Sequence, residues 1–252
     1  MSNKETQTKY ISEHIPKTGG YSTRIFFSES FPQNSVYLHY RDKGGLFHAS
    51  ESVSLEARFP ILSKLKTFLL STEDRIKFYR LIKPPLKPQS LVDEVGDEWR
   101  VIHGHKALEF AGKYSEAKLI TVIRNPLERA ISQYFYVNQR SSSGRPLPEW
   151  AIGIETKLSL ADYLLDDSLA NYQTKYIKPL SWTDFSVIGV VESLEEYCAR
   201  INRTKKKYRL KKTNVTTKPN FSLNRDFVEK FVEQNRDDYD IYLNTKKQWC
   251  SD

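Results

Sequence analysis

The sequence predicts an α/β protein whose central, mainly parallel sheet is flanked by helices in three layers. Three observations carry this. Short runs of apolar, β-branched and aromatic residues recur along the chain and lack the alternation of strands with a wet face, as buried parallel strands do. Stretches with apolar residues at helical spacing lie between them. The 252 residues supply one sizeable core and show neither an internal repeat nor a linker, so a single domain spanning 1–252 is expected.

Strands are expected at 10–15, 36–39, 100–103, 119–123 and 186–191. A helix at 22–30 follows the first strand. Helices at 61–70 and 72–82 form a pair stopped by Pro84-Pro85. A helix at 126–136 follows the fourth strand and opens on Pro126, a favoured first helical position. Ser159-x-x-Asp162 is a variant capping box that starts a helix at 159–165. Further helices are expected at 194–201, 227–234 and 237–247. The segments 41–54, with Gly44-Gly45, and 138–148, with Ser141-Ser142-Ser143-Gly144 and two prolines, read as loops.

The net charge of +8 favours an anionic ligand: a nucleotide, an acidic glycan, nucleic acid or a membrane surface. Its densest run is Lys205-Lys206-Lys207-Tyr208-Arg209-Leu210-Lys211-Lys212, which reads equally as a solvated loop or helix end. Cys198 sits in an apolar helical pattern and Cys250 near the C-terminus, so no disulfide framework is indicated. No cysteine lies near His14, His39, His48, His103 or His105, and no metal-ligand spacing occurs, so no metal is expected. The first residues are polar without a leader's apolar region, and no run approaches a membrane span. A cytoplasmic protein without an integral membrane segment is the expectation.

The segment His14-Ile15-Pro16-Lys17-Thr18-Gly19-Gly20-Tyr21-Ser22-Thr23-Arg24 joins the first strand to its helix. Such a turn exposes unpaired backbone N–H groups at a helix N-terminus, a ready anion site. Gly19 and Gly20 let the backbone curl close to a phosphate, Lys17 adds a mobile charge, and Ser22 and Thr23 add hydroxyls. The lysine precedes the glycines and no Gly-Lys-Ser/Thr occurs, so this is not a Walker A loop. The second motif is Ile123-Arg124-Asn125-Pro126-Leu127-Glu128-Arg129-Ala130-Ile131-Ser132. Arg124 stands outside the core stripe where strand becomes helix, a place to hold a phosphate bidentately or to form a surface ion pair. Ser132 lies about two turns into that helix. A third element, Ile102-His103-Gly104-His105, falls at another expected strand end. Ligands of parallel sheets bind beyond such ends.

Together, Pro16-Lys17-Thr18-Gly19-Gly20 and Arg124-Asn125-Pro126-x-x-Arg129-x-x-Ser132 resemble the sulfotransferases that use PAPS (3′-phosphoadenosine 5′-phosphosulfate). With His103-Gly104-His105, the chain resembles the carbohydrate sulfotransferases of the heparan/uronyl 2-O type and their bacterial homologues. The resemblance runs from about residue 10 to residue 136 and weakly beyond. It implies a P-loop-like three-layer fold, PAPS as donor and PAP as product. Lys17 would meet the bridging region of the 5′-phosphosulfate, and Thr18, Gly19, Gly20, Tyr21 and Ser22 would line the 5′-phosphate cradle. Arg124 and Ser132 would bind the 3′-phosphate, with Lys211, Lys212 and Thr213 near the same side. His105 would be the general base. His103 stays open as the base, as a residue orienting His105, or as a core histidine. Tyr21 departs from the small Thr or Ser usual in the loop, and Asn125 from a common Asp.

The implied acceptor is a hydroxyl on a glycan or glycolipid, neutral or, as the basic charge would suit, anionic, and no nucleic acid partner is expected. Asn171-Tyr172-Gln173-Thr174-Lys175-Tyr176 reads as a sugar-binding segment or as a packed helix, and Arg41, Lys43, Arg140 and Arg145 as loop residues able to meet an anionic glycan. Glu13 and Glu109 are secondary acid/base candidates. Other readings remain open at this point. A P-loop nucleotide kinase or phosphotransferase runs against the missing Gly-Lys-Ser/Thr and the lack of a clear magnesium-binding aspartate after a strand. A nucleic-acid binder would use the basic run but lacks a helix-turn-helix, zinc or RNA-recognition signature. A PAP(S)-binding protein without activity is the third.

Overall fold

The computed structural model of the protein describes residues 8–40, 45–48, 95, 97–144, 147–151, 154, 158–202 and 221–250. The helices expected at 61–70 and 72–82, the basic run at 205–212, and Arg41, Lys43, Arg145, Lys211, Lys212 and Thr213 lie outside the described residues.

The strands are β1 (Tyr10–Glu13), β2 (Val36–Tyr40), β3 (Gly45–His48), β4 (Val101–Gly104), β5 (Lys118–Ile123) and β6 (Val187–Val190). They form one sheet in the order β3-β2-β4-β1-β5-β6. Every neighbouring pair is parallel except β2 with β3. The helices are α1 (Gly20–Ser30), α2 (Pro126–Ser142), α3 (Leu160–Leu164), α4 (Tyr172–Ile177), α5 (Leu194–Asn202), α6 (Arg225–Gln234) and α7 (Arg236–Cys250). None of the described helices is long and apolar enough to cross a membrane.

Successive strand residues serve opposite faces of the sheet. Tyr10, Val36, Leu38 and Val101 pack with Phe26 and Phe27 of α1 and Tyr197 and Cys198 of α5. Their neighbours Ile11, Tyr37 and Ile102 pack with Trp99, Leu46 and Ala107 on the other side. Burial on both faces explains why apolar residues occupy consecutive positions at Tyr10-Ile11, Val36-Tyr37-Leu38 and Val101-Ile102. Burial also pushes the Cys198 thiol up to about 12, so it serves as a small core residue.

Two expectations are corrected. The stretch read as a loop at 41–54 contains β3, which adds an antiparallel edge to β2. Four residues are too few to show a period, and the pairing partner β2 supplies what they lack. The stretch read as a loop at 138–148 begins as helix, because α2 continues to Ser142. Its polar residues bond back onto the helix, Asn138 Nδ2 to the Tyr134 carbonyl and Ser143 Oγ to the Arg140 carbonyl. The chain leaving β1 goes to β2 on one side, and the chain leaving β5 goes to β6 on the other. The carboxyl ends of these adjacent strands therefore flank a topological switch point, where open α/β sheets bind ligands.

Candidate functional site

The turn after β1 is built from backbone. Thr18 folds inward, its hydroxyl donating to the Ile15 carbonyl at 2.8 Å. Lys17 and Gly19 then take left-handed conformations, φ 71° and 83°. Such a conformation is costly for a lysine and natural for a glycine. Ser22 and Thr23 N–H close on the Gly19 carbonyl at 2.9 and 3.1 Å. The N–H groups of Gly19, Gly20 and Tyr21 have no acceptor among the described residues, and no side chain caps α1. A Cβ on Gly20 would overlap the His14 ring. The Tyr21 ring is exposed and lies under Arg24, whose guanidinium sits 4.9 Å from the ring centroid. What Tyr21 presents at the turn is thus its N–H. Lys17 Nζ rests 4.0 Å from the centroid of Tyr136 on α2, a cation–π contact.

The turn after β5 is built from side chains. Asn125 Oδ1 accepts from Glu128 N at 3.1 Å and Pro126 occupies the first helical position. Gln173 clamps the Arg124 backbone, accepting from its N at 2.9 Å and donating to its carbonyl at 3.0 Å. The half-buried Arg124 guanidinium pairs with Glu128 at 3.3 Å. Arg124 precedes the cap of α2, Glu128 and Ser132 lie four residues apart on one stripe of that helix, and Ser132 is buried. Arg129, one helical step away, is fully buried with its guanidinium 4.1 Å from the Tyr172 ring centroid, and burial pulls its pKa down. It donates to Gln133 Oε1 at 2.6 Å, while its Nε has no partner among the described residues.

Three histidines meet beside the first turn. The His14 ring stacks on His105 with centroids 4.3 Å apart and on His103 at 5.6 Å. His103 lies in the core against Phe27, its Nδ1 2.9 Å from Ser12 Oγ. Burial, with the charge of His105 adding to it, holds His103 down at about 3, so it is neutral at ordinary pH. Burial and the neighbouring histidines also hold His14 well below its usual range. His105 sits at the rim, partly exposed. Its Nδ1 is 2.6 Å from the His14 carbonyl and 3.1 Å from Tyr176 Oη.

Glu13 supports this arrangement from below. Its two carboxyl oxygens accept from Lys106 N at 2.7 Å and Leu108 N at 3.0 Å. These bonds fix the turn that carries His105, in which Lys106 is left-handed at φ 62°. Burial raises the Glu13 pKa to about 8 against the pull of those N–H groups. The structure thus gives Glu13 a structural place rather than a position facing the cleft, and Glu109 lies exposed on the following turn.

Sequence reading did not single out Tyr136, Trp150 or the pairing of Tyr176 with His105. Tyr136 and Trp150 stack at 5.7 Å, and Trp150 lies 6.5 Å from the His105 ring. A continuous line of contacts therefore links Lys17, Tyr136, Trp150, His105 and Tyr176. Tyr136 follows Ser132 by one helical turn, a spacing that could have drawn attention to it. Nothing local in the sequence marks Trp150. Among the described residues no group of three or more His, Cys, Asp or Glu is placed to hold a metal ion.

Comparison with known proteins gives two solved structures of note. The crystal structure of a sulfotransferase from Alicyclobacillus acidocaldarius is 13% identical, with 92% of this chain and 93% of that chain covered and a TM-score of 0.42. The mouse sulfotransferase SULT7A1 complexed with PAP is 13% identical, with 91% of this chain and 63% of that chain covered and a TM-score of 0.35. No family model matches the chain, and no curated protein matches it.

Proposed function

We propose that this chain transfers the sulfuryl group of PAPS to a hydroxyl of a carbohydrate acceptor, with the cytoplasm as its compartment. The observation that carries the reading is the meeting, at adjacent strand ends, of an uncapped helix N-terminus, a lysine and a rim histidine. The open N–H groups of Gly19, Gly20 and Tyr21 suit the 5′-phosphate. Arg124 and Ser132 suit the 3′-phosphate, which as a dianion outcompetes the half-exposed Glu128 for the guanidinium. The acceptor oxygen attacks sulfur in line, and the sulfur–oxygen bond to PAP breaks. The hydroxyl proton passes to His105, while Lys17 offsets charge building on the departing oxygen. His105 rather than His103 takes this role, because His103 is buried in the core. Trp150 and Tyr176 beside His105 offer ring faces for the apolar face of a sugar, and Arg140, 5.6 Å from the Tyr136 centroid, suits an anionic one.

The test is transfer of label from [35S]PAPS to a panel of neutral and anionic glycans by the native chain and by His105→Ala. Label should enter a glycan, and the variant should lose roughly 10²- to 10⁴-fold in rate, the usual share of general base catalysis, with PAP affinity unchanged. Undiminished transfer by the variant removes His105 from the mechanism. A native chain that neither binds PAPS nor releases PAP from it overturns the reading.

A further inference from the structure

His105 Nδ1 has two oxygens within reach, the His14 carbonyl at 2.6 Å and Tyr176 Oη at 3.1 Å. A carbonyl oxygen only accepts, so Nδ1 carries the proton. The neutral ring then keeps its lone pair on Nε2. Tyr176 is not placed there by chance contact, because α4 is fastened along its length. Buried Asp238 of α7 accepts from Gln173 N at 2.9 Å and from Thr174 N and Oγ1 at 2.8 and 2.7 Å. Trp182 Nε1 donates to Thr174 Oγ1 at 3.2 Å. Asn171, left-handed at φ 48°, exchanges bonds with Asn235 and Asp238 N. Gln173 clamps the end of β5 at Arg124, and Ile177 is buried among Ile15 and Ile123. One short helix therefore touches both the Arg124 backbone and the His105 ring.

We propose that Tyr176 is a positioning residue for His105: its phenolic oxygen shares the Nδ1 proton with the His14 carbonyl and holds the ring in the tautomer whose Nε2 can accept a proton. The role in catalysis rests on the sulfuryl-transfer reading above, while the pairing itself does not. When Nε2 takes a proton, the ring becomes a cation and its Nδ1–H a stronger donor. Two oxygen acceptors then favour the charged ring and strengthen the base.

The titration of His105 is also felt by its other neighbours. On the β1 side these are His14 and Glu13, with Lys17 and Arg24 beyond. On β2, His39 Nδ1 bonds to the His105 carbonyl at 2.8 Å, and β4 and its turn bring His103, Lys106 and Glu109. All of these stay in place in Tyr176→Phe, which removes only the hydroxyl and keeps the ring against His105 and Tyr172.

The experiment is side-chain 15N NMR of the native chain and Tyr176→Phe across pH 5 to 9, with no donor or acceptor present. In the native chain neutral His105 should show a protonated Nδ1 and an unprotonated Nε2. In the variant its midpoint should fall by about half a pH unit to one unit, with roughly three- to tenfold slower sulfuryl transfer and unchanged PAP affinity. A native His105 protonated on Nε2, or an unchanged midpoint in folded Tyr176→Phe, overturns the proposal. Because the NMR readout needs no reaction, a shifted midpoint in a chain that transfers no sulfuryl group would keep the pairing and reject the chemistry.

Discussion

The helix starts after β1 and β5 sit side by side on the sheet and solve the same problem in opposite ways. Each must dispose of the first N–H groups of a helix, which have no partner within it. At α2 the chain does so itself: Asn125 caps, Pro126 removes a donor, and Glu128 adds negative charge at the third helical position. At α1 the corresponding places hold Gly19, Gly20 and Ser22, with no side-chain cap and no acid in the first turn. The turn after β4 resembles the closed case, since Glu13 takes the Lys106 and Leu108 N–H groups. Leaving one of these strand ends open forgoes about 1 kcal/mol of capping, which an anion can return. In the function proposed above, the open end is the donor site and the closed ends are its frame.

The largest effect should come from closing the open end. Ser22→Glu places on α1 the acid that Glu128 provides on α2. It should leave the fold as stable or slightly more so, by about 0.3–1 kcal/mol. It should weaken PAP roughly fiftyfold by setting a like charge beside the phosphate. Melting temperature and calorimetry on one sample check both, and unchanged PAP affinity would show that the anion lies elsewhere.

Glu13→Gln disturbs a closed end in a pH-dependent way. The Glu13 pKa is raised from 4.5 to about 8, so the native state binds this proton more tightly than the unfolded chain. Its contribution to stability is full below pH 4.5, falls as pH rises through about 8, and is constant above. The amide cannot accept at both oxygen positions, so the variant should be less stable than the native chain at pH 5, by about 2 kcal/mol. The gap should narrow toward pH 8. Urea melts at the two pH values measure it, and a gap that widens with pH contradicts the assignment.

The smallest effect belongs to Asn125→Ala, which opens α2. It should cost about 1 kcal/mol of stability and change PAP affinity less than about twofold, because Arg124 is held through its backbone by Gln173. A large loss of PAP affinity would mean that the cap, and not the clamp, orients Arg124.

What was legible in the sequence follows the same division. Features written in contiguous residues could be read: the five parallel strands, the glycine turn, Arg124 at a strand end, and Ser159 capping Asp162 N at 3.1 Å. Features made by meeting of distant segments could not. Trp150 reaches His105 only through the return of the chain after α2, and Tyr176 only through the fastening of α4 by Asp238. The polar and aromatic stretch at 171–176 left a sugar-binding segment and a packed helix equally open. It forms a helix, and what it presents to the site depends on α7, more than sixty residues away. Glu13 looked like chemistry because carboxylates near a site often are. Its two backbone partners lie some ninety residues downstream, where no local pattern points to them.

The most direct test of the central claim is calorimetry of PAP binding without magnesium, against ATP with magnesium as comparator. Tight PAP binding that magnesium does not change, with weak ATP binding, is the result expected of a backbone anion site at α1 joined to Arg124. Tighter ATP binding that depends on magnesium, or no binding of either nucleotide, would contradict it.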